Sequence, residues 1–116
     1  MHALIIEDQR LIAELISEIL HELGFDSIDI ATREQEAIRL AARKHPDLIT
    51  ADIRLASGTG IAAVREICKA RPAPVVYVTG TASEAAKLEE AIIVPKPFSP
   101  PQLIKAANRA MAAQMP

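Results

Sequence analysis

Leu48-Ile49-Thr50-Ala51-Asp52 is a short, mostly apolar run that ends on a carboxylate. The breaker His45-Pro46-Asp47 stands before it and the loop Leu55 to Gly60 after it, so the run reads as a buried strand. Working outward, the same pattern recurs. Ala3-Leu4-Ile5-Ile6 stops at Glu7-Asp8, Val75 to Thr79 stops at Gly80, and Ala91 to Val94 stops at Pro95-Lys96. Ser27 to Ala31 is a weaker strand of the same kind.

Between the runs the period changes to that of helices. From about Arg10 to Leu23, apolar residues fall at Leu11, Leu15, Ile16, Ile19, Leu20 and Leu23, one face of a helix that Gly24 closes. Thr32-Arg33-Glu34-Gln35 has the spacing of a capping box and predicts a helix to about Lys44. Ile61, Val64, Ile67 and Cys68 would face inward from a third helix, ended by Arg71-Pro72-Ala73-Pro74. Ser83 to Glu90 reads as a short helix with little apolar face. Ser99 caps a last helix that starts at Pro100 and buries Leu103, Ile104, Ala107 and Met111.

Five strands, each followed by a helix, imply an α/β domain with a doubly wound parallel sheet and helices on both faces. Continuous apolar strands, instead of alternating ones, agree with that. The 116 residues suit one domain over 1–116, with no repeat or linker. Half the residues are apolar, and the aromatics are only Phe25, Phe98 and Tyr77, so the core must be packed from aliphatic side chains. A net charge of −2 with interspersed signs argues against nucleic-acid binding. The lone Cys68 excludes an internal disulfide, and no apolar run could span a bilayer or serve as a signal peptide. A cytoplasmic protein without membrane contact is expected.

In open parallel sheets, ligands sit outside the carboxyl ends of the strands. Those ends deliver Glu7 and Asp8, Asp52, Thr79 and Lys96. Three converging carboxylates repel one another unless their pKa values rise or a cation sits between them. Oxygen donors of this kind suit Mg²⁺, which keeps positions for water and phosphate oxygens. Lys96 adds an ammonium and Thr79 a hydroxyl donor, so the pocket suits a phosphoryl group. Asp52 stands alone while Glu7 and Asp8 pair, which makes Asp52 the expected nucleophile of an aspartyl phosphate.

The acidic pair Glu7-Asp8, then Asp52, Thr79 and Lys96-Pro97-Phe98, resembles the receiver domain of two-component response regulators along the whole chain. Each element alone is weak; the set is specific. The resemblance implies a flavodoxin-like (CheY-like) fold with strand order 2-1-3-4-5. It implies that Asp52 accepts a phosphoryl group from a histidine kinase or histidine phosphotransfer protein. Glu7, Asp8, Asp52 and the backbone carbonyl of Arg54 would ligate Mg²⁺, Lys96 would pair with the phosphoryl group, and Lys96-Pro97 would be cis. Thr79 would move toward the phosphoryl group. A downstream protein would read that motion on the face made by the fourth helix, fifth strand and fifth helix.

Two features depart from the family pattern. Ile93 stands where most receivers carry Tyr or Phe, so the usual aromatic switch is missing. Pro95 removes an amide donor, which suits an edge strand. Tyr77-Val78-Thr79-Gly80 is similar to the Phe-Ala-Thr-Gly opening of a receiver subgroup that also lacks that aromatic, although the tyrosine closing its motif would fall at Ala82. Tyr77 could then be the mobile aromatic. Arg54 and Thr81, beside the pocket, could tune the phosphoryl lifetime.

Plainer readings exist for each residue. A single strand-end Asp is more often a turn or cap residue, and Glu7 and Asp8 could cap the first helix. Thr79 could cap a turn and Lys96 lie in solvent. Ser57-Gly58-Thr59-Gly60 lacks the Gly-Lys-Ser/Thr ending of a phosphate loop, so its glycines turn the chain into a helix. His2, His21 and His45 have no metal-ligand spacing. Against the phosphoacceptor stand a phosphorylation-independent interaction module and a small aspartyl-phosphate phosphatase. The chain is expected not to be an enzyme beyond assisting its own phosphorylation and dephosphorylation.

Overall fold

The computed structural model describes residues 1–80, 82–85, 87, 88 and 91–113. Ten elements alternate along the chain. They are β1 (His2–Ile6), α1 (Arg10–Glu22), β2 (Ser27–Ala31), α2 (Glu34–Arg43), β3 (Leu48–Ala51), α3 (Gly60–Ala70), β4 (Val75–Thr79), α4 (Ala82–Ala85), β5 (Ile92–Pro95) and α5 (Pro100–Ala112). All strand pairings are parallel, and the sheet order is β2-β1-β3-β4-β5, as expected.

Strand alternation splits the core into two layers. Ala3, Ile5, Val76 and Val78 pack with α1 and α5 residues such as Ile16, Leu20, Leu103 and Ala107. Leu4, Ile6, Ile49 and Ala51 pack on the other face with Ala37, Ala63, Val64 and Ile67 of α2 and α3. Every residue of β1 and β3 is buried, which is why those strands show no polar alternation. His2 is buried at the opposite end of β1 from Glu7. Its Nδ1 lies 2.8 Å from Ser27 Oγ and its Nε2 3.2 Å from Asp29 Oδ2.

Three local expectations need correction. Leu11 is 81% exposed and Leu15 40%, while Ala13 is buried instead. Leu11 is five residues from Ile16, roughly 140° around at about 100° per residue, so it leaves the stripe centred on Ile16 and Leu20. The capping box at Thr32 is also displaced. Arg33 is the N-cap of α2, and the Glu36 carboxylate, not Gln35, accepts from Thr32 N–H at 2.7 Å. The short fourth helix runs over Ala82–Ala85, whereas residues 86, 89 and 90 of the expected span, and Thr81, lie outside the described residues. At the last helix the expectation is met: Gln102 Oε1 accepts from Ser99 N–H at 2.7 Å, with Pro in the first turn. Among the described residues no helix is long and apolar enough to cross a membrane.

Candidate functional site

Order β2-β1-β3 means that the chain winds one way from β1 and the other way from β3, leaving a crevice above their carboxyl ends. The parallel ladder runs one residue past both strands. Glu7 N–H donates to the Ala31 carbonyl and Asp52 N–H to the Ile6 carbonyl, each at 2.9 Å. These bonds fix the backbones of Glu7 and Asp52 as neighbours over the crevice. On the far side, β5 pairs with β4 alone, so Pro95 does lie on an edge strand, in register with Thr79. Lys96 N–H donates to the Thr79 carbonyl at 3.0 Å, and the Lys96-Pro97 peptide is cis.

From that anchor Lys96 spans the crevice. Its Nζ lies 2.7 Å from Glu7 Oε1 and 2.9 Å from Asp52 Oδ2. Glu7, Asp8 and Asp52 each present a carboxylate oxygen, and the three atoms lie within 4.8 Å of one another. Glu7 and Asp52 are buried and Asp8 faces solvent. The Glu7-Asp8 pair, Asp52 and Lys96, distant from one another in sequence, therefore meet at one place. Thr79 is buried at the end of the neighbouring strand. Arg54 lies two residues beyond Asp52; its backbone bridges to Thr59, and its exposed guanidinium pairs with Glu84 of α4 at 2.6 Å.

Burial pushes the Glu7 carboxyl above its ordinary range, against the opposing pull of the Lys96 hydrogen bond and the Gln9 amide. Burial pulls the Lys96 ammonium down, but hydrogen bonds to Asp52 and Glu7 together outweigh it, and the net shift is upward. Lys96 is thus held as a cation by two carboxyl groups. One ammonium against three carboxyl groups leaves the set short of positive charge, and Asp8 opens it to solvent. All three donors are hard oxygens, which fits a small divalent cation such as Mg²⁺.

Sequence reading missed Gln9 and Gly60. Gln9 N–H donates to Glu7 Oε2 at 3.1 Å, and its side-chain oxygen accepts from Lys96 Nζ at 3.4 Å. Gly60 packs so tightly beneath Asp52 that a β-carbon there would overlap the Asp52 carbonyl oxygen. Two glycines in Ser57-Gly58-Thr59-Gly60 were the available signal, but which backbone they approach is not written in the sequence. Tyr77 stands directly across the ladder from Ile93 and is buried, so an aromatic ring lies one strand away from the family's usual position.

The family model for the response regulator receiver domain matches residues 3–108. The chain is 34% identical to the phyllosphere-induced regulator PhyR of Methylorubrum extorquens, over 96% of this chain and 43% of that protein. It is 29% identical to the chemotaxis protein CheY of Thermotoga maritima, over 91% of this chain and 93% of that one. The chain thus spans less than half of that PhyR and nearly all of that CheY. Among solved structures, the PhyR receiver domain of Erythrobacter litoralis superimposes with a TM-score of 0.90 at 29% identity, covering 99% of this chain and 93% of that one. The receiver domain of the sensor histidine kinase PA1611 of Pseudomonas aeruginosa, described with a magnesium ion coordinated in its active-site cleft, gives a TM-score of 0.81 at 25% identity, over 96% and 97% of the two chains. With its strand order and acidic crevice in agreement, this chain belongs to the response regulator receiver domain family of two-component signalling.

Proposed function

We propose that the domain is a phosphoacceptor switch in a His-Asp relay, with Asp52 as the acceptor. The observation that carries this reading is the convergence of Glu7, Asp8, Asp52 and Lys96 on one crevice. In the transfer, an Asp52 carboxylate oxygen forms a bond to phosphorus. The P–N bond to a phosphohistidine breaks, and the imidazole of the kinase or phosphotransfer protein keeps the electron pair. Lys96 already holds Asp52 Oδ2, so the nucleophile enters with its carboxylate oriented. The same ammonium then neutralises charge on the phosphoryl oxygens.

Glu7, Asp8, Asp52 and the Arg54 backbone carbonyl would hold Mg²⁺, which when bound supplies charge neutralisation at those oxygens. The magnesium described for the PA1611 receiver supports this assignment. Thr79, at the end of the strand next to Asp52, donates its hydroxyl to the phosphoryl group and draws its loop inward. The output is a protein contact on the face of α4, β5 and α5, where Ile93, Pro95, Lys105 and Arg109 line a groove. The domain catalyses only its own phosphorylation and dephosphorylation.

Incubation with acetyl phosphate, with and without Mg²⁺, followed by intact mass, tests the reading. The wild type gains one phosphoryl group only with metal, and Asp52→Ala gains none. No modification under any condition would favour an inert interaction module, and multiple-turnover release of phosphate from organic esters would favour a phosphatase.

A further inference from the structure

The loop from Ile53 to Gly60 is tied at both its ends and its tip. Arg54 and Thr59 form an antiparallel bridge, and Gly60 N–H donates to the Ile53 carbonyl at 2.9 Å. The tip is held from outside by Glu34, the half-buried first residue of α2. Glu34 N–H donates to the Ser57 carbonyl at 3.2 Å, and Glu34 Oε1 accepts from Thr59 N–H at 3.0 Å. These two bonds straddle Gly58, whose φ is +81°. A β-carbon at Gly58 would overlap the Glu34 side chain, so glycine is what lets the carboxylate close on the backbone.

Both of these hydrogen bonds end on the loop, and neither reaches Glu7, Asp8, Asp52 or Lys96. That loop carries the Arg54 carbonyl, whose backbone is paired to Thr59, the very residue whose N–H Glu34 holds. We infer that Glu34 is a positioning residue for the Mg²⁺ site, acting through Thr59 and Arg54. The inference rests on the reading above, in which the Arg54 carbonyl is a metal ligand. Loss of the side-chain half of the clamp, the bond to Thr59 N–H, lets that part of the loop sample other conformations, and metal binding must then order it again. Groups that orient a ligand from outside typically matter about 10-fold or more in metal affinity. The bond is an ordinary acceptance from Thr59 N–H, so an amide oxygen in the same place is expected to serve equally well.

The test is isothermal titration calorimetry with MgCl₂ on wild type, Glu34→Ala, Glu34→Gln and Glu36→Ala, with thermal midpoints taken in EDTA. Glu36→Ala removes the same charge from the same turn without touching the loop. Expected is a Kd for Mg²⁺ raised about 10-fold in Glu34→Ala, with the Glu34→Gln and Glu36→Ala values close to wild type and the midpoint of Glu34→Ala little changed. Should Glu34→Ala not fold, Glu34→Asp, too short to reach Thr59, carries the same expectation. Equal Mg²⁺ affinity in wild type and Glu34→Ala overturns the inference and leaves the site intact. A loss shared by Glu36→Ala and Glu34→Gln overturns it too, by showing an effect of charge alone. A wild type that binds no Mg²⁺ overturns the site reading and the inference with it.

Discussion

Gly60 and the carbonyl oxygen of Asp52 are in such close contact that no side chain fits between them. The first residue of α3 therefore sets how near that helix comes to the end of β3, and with it where the acceptor backbone lies. The obstacle is backbone and cannot swing aside as a flexible side chain could.

Gly60→Ala follows as a sharp case. Alanine gains at most about 1 kcal/mol in helix propensity over glycine. The overlap costs about 1–3 kcal/mol or more, because the strand end or the helix must shift. The net expectation is a loss of about 1–2 kcal/mol in urea unfolding, together with weaker Mg²⁺ binding. A variant as stable as wild type would show that this close approach is not needed.

The raised pKa of Glu7 gives a signed pH dependence. Between its ordinary value of 4.5 and its higher folded value, the native state holds more protons than the unfolded chain. Stability from this group is therefore present below 4.5 and is lost as pH rises through the folded pKa. Lys96 behaves in the cationic sense: its contribution is full below 10.5 and fades above it. Urea unfolding in EDTA across pH 4 to 8 reads the first effect. Glu7→Gln should remove the decline with rising pH; an unchanged slope in that variant would place the proton elsewhere.

Burial rather than hydrophobicity decides the outcome on α1. Leu11→Ser is expected to stay within about 0.5 kcal/mol of wild type. Ile16→Ala, which empties a site in the core between α1 and the sheet, is expected to cost about 2–5 kcal/mol. Denaturant melts of the two variants compare them directly, and a large loss for Leu11→Ser would contradict the assigned helix face.

The sheet was legible because β1, β3 and β4 are largely apolar runs, with Thr50 the one polar residue inside β3, and parallel strands buried on both faces read as near-continuous apolar stretches. The main acidic site was legible for a related reason. The pair Glu7-Asp8, Asp52 and Lys96 each come straight after a strand, and the topology alone carries strand ends together. The inner face of α1 was misjudged because leucine outweighs alanine in any count of apolar residues, yet the small Ala13 lies closer to the centre of the stripe than Leu11. Glu34 escaped notice for a different reason. Its partner Thr59 is 25 residues away and is met through a backbone N–H, which leaves no periodicity to read. Gln9 is the N-cap of α1, one residue before the stretch whose apolar period marks the helix, and nothing in that period points to it.

The central claim is that Asp52, and neither of its acidic neighbours, takes the phosphoryl group. Acetyl phosphate treatment with Mg²⁺, borohydride reduction of the acyl phosphate and peptide mapping locate the modified carboxyl. The account predicts homoserine at position 52 alone, dependent on metal. Reduction at Asp8 or Glu7, or labelling that persists in Asp52→Ala, would contradict it.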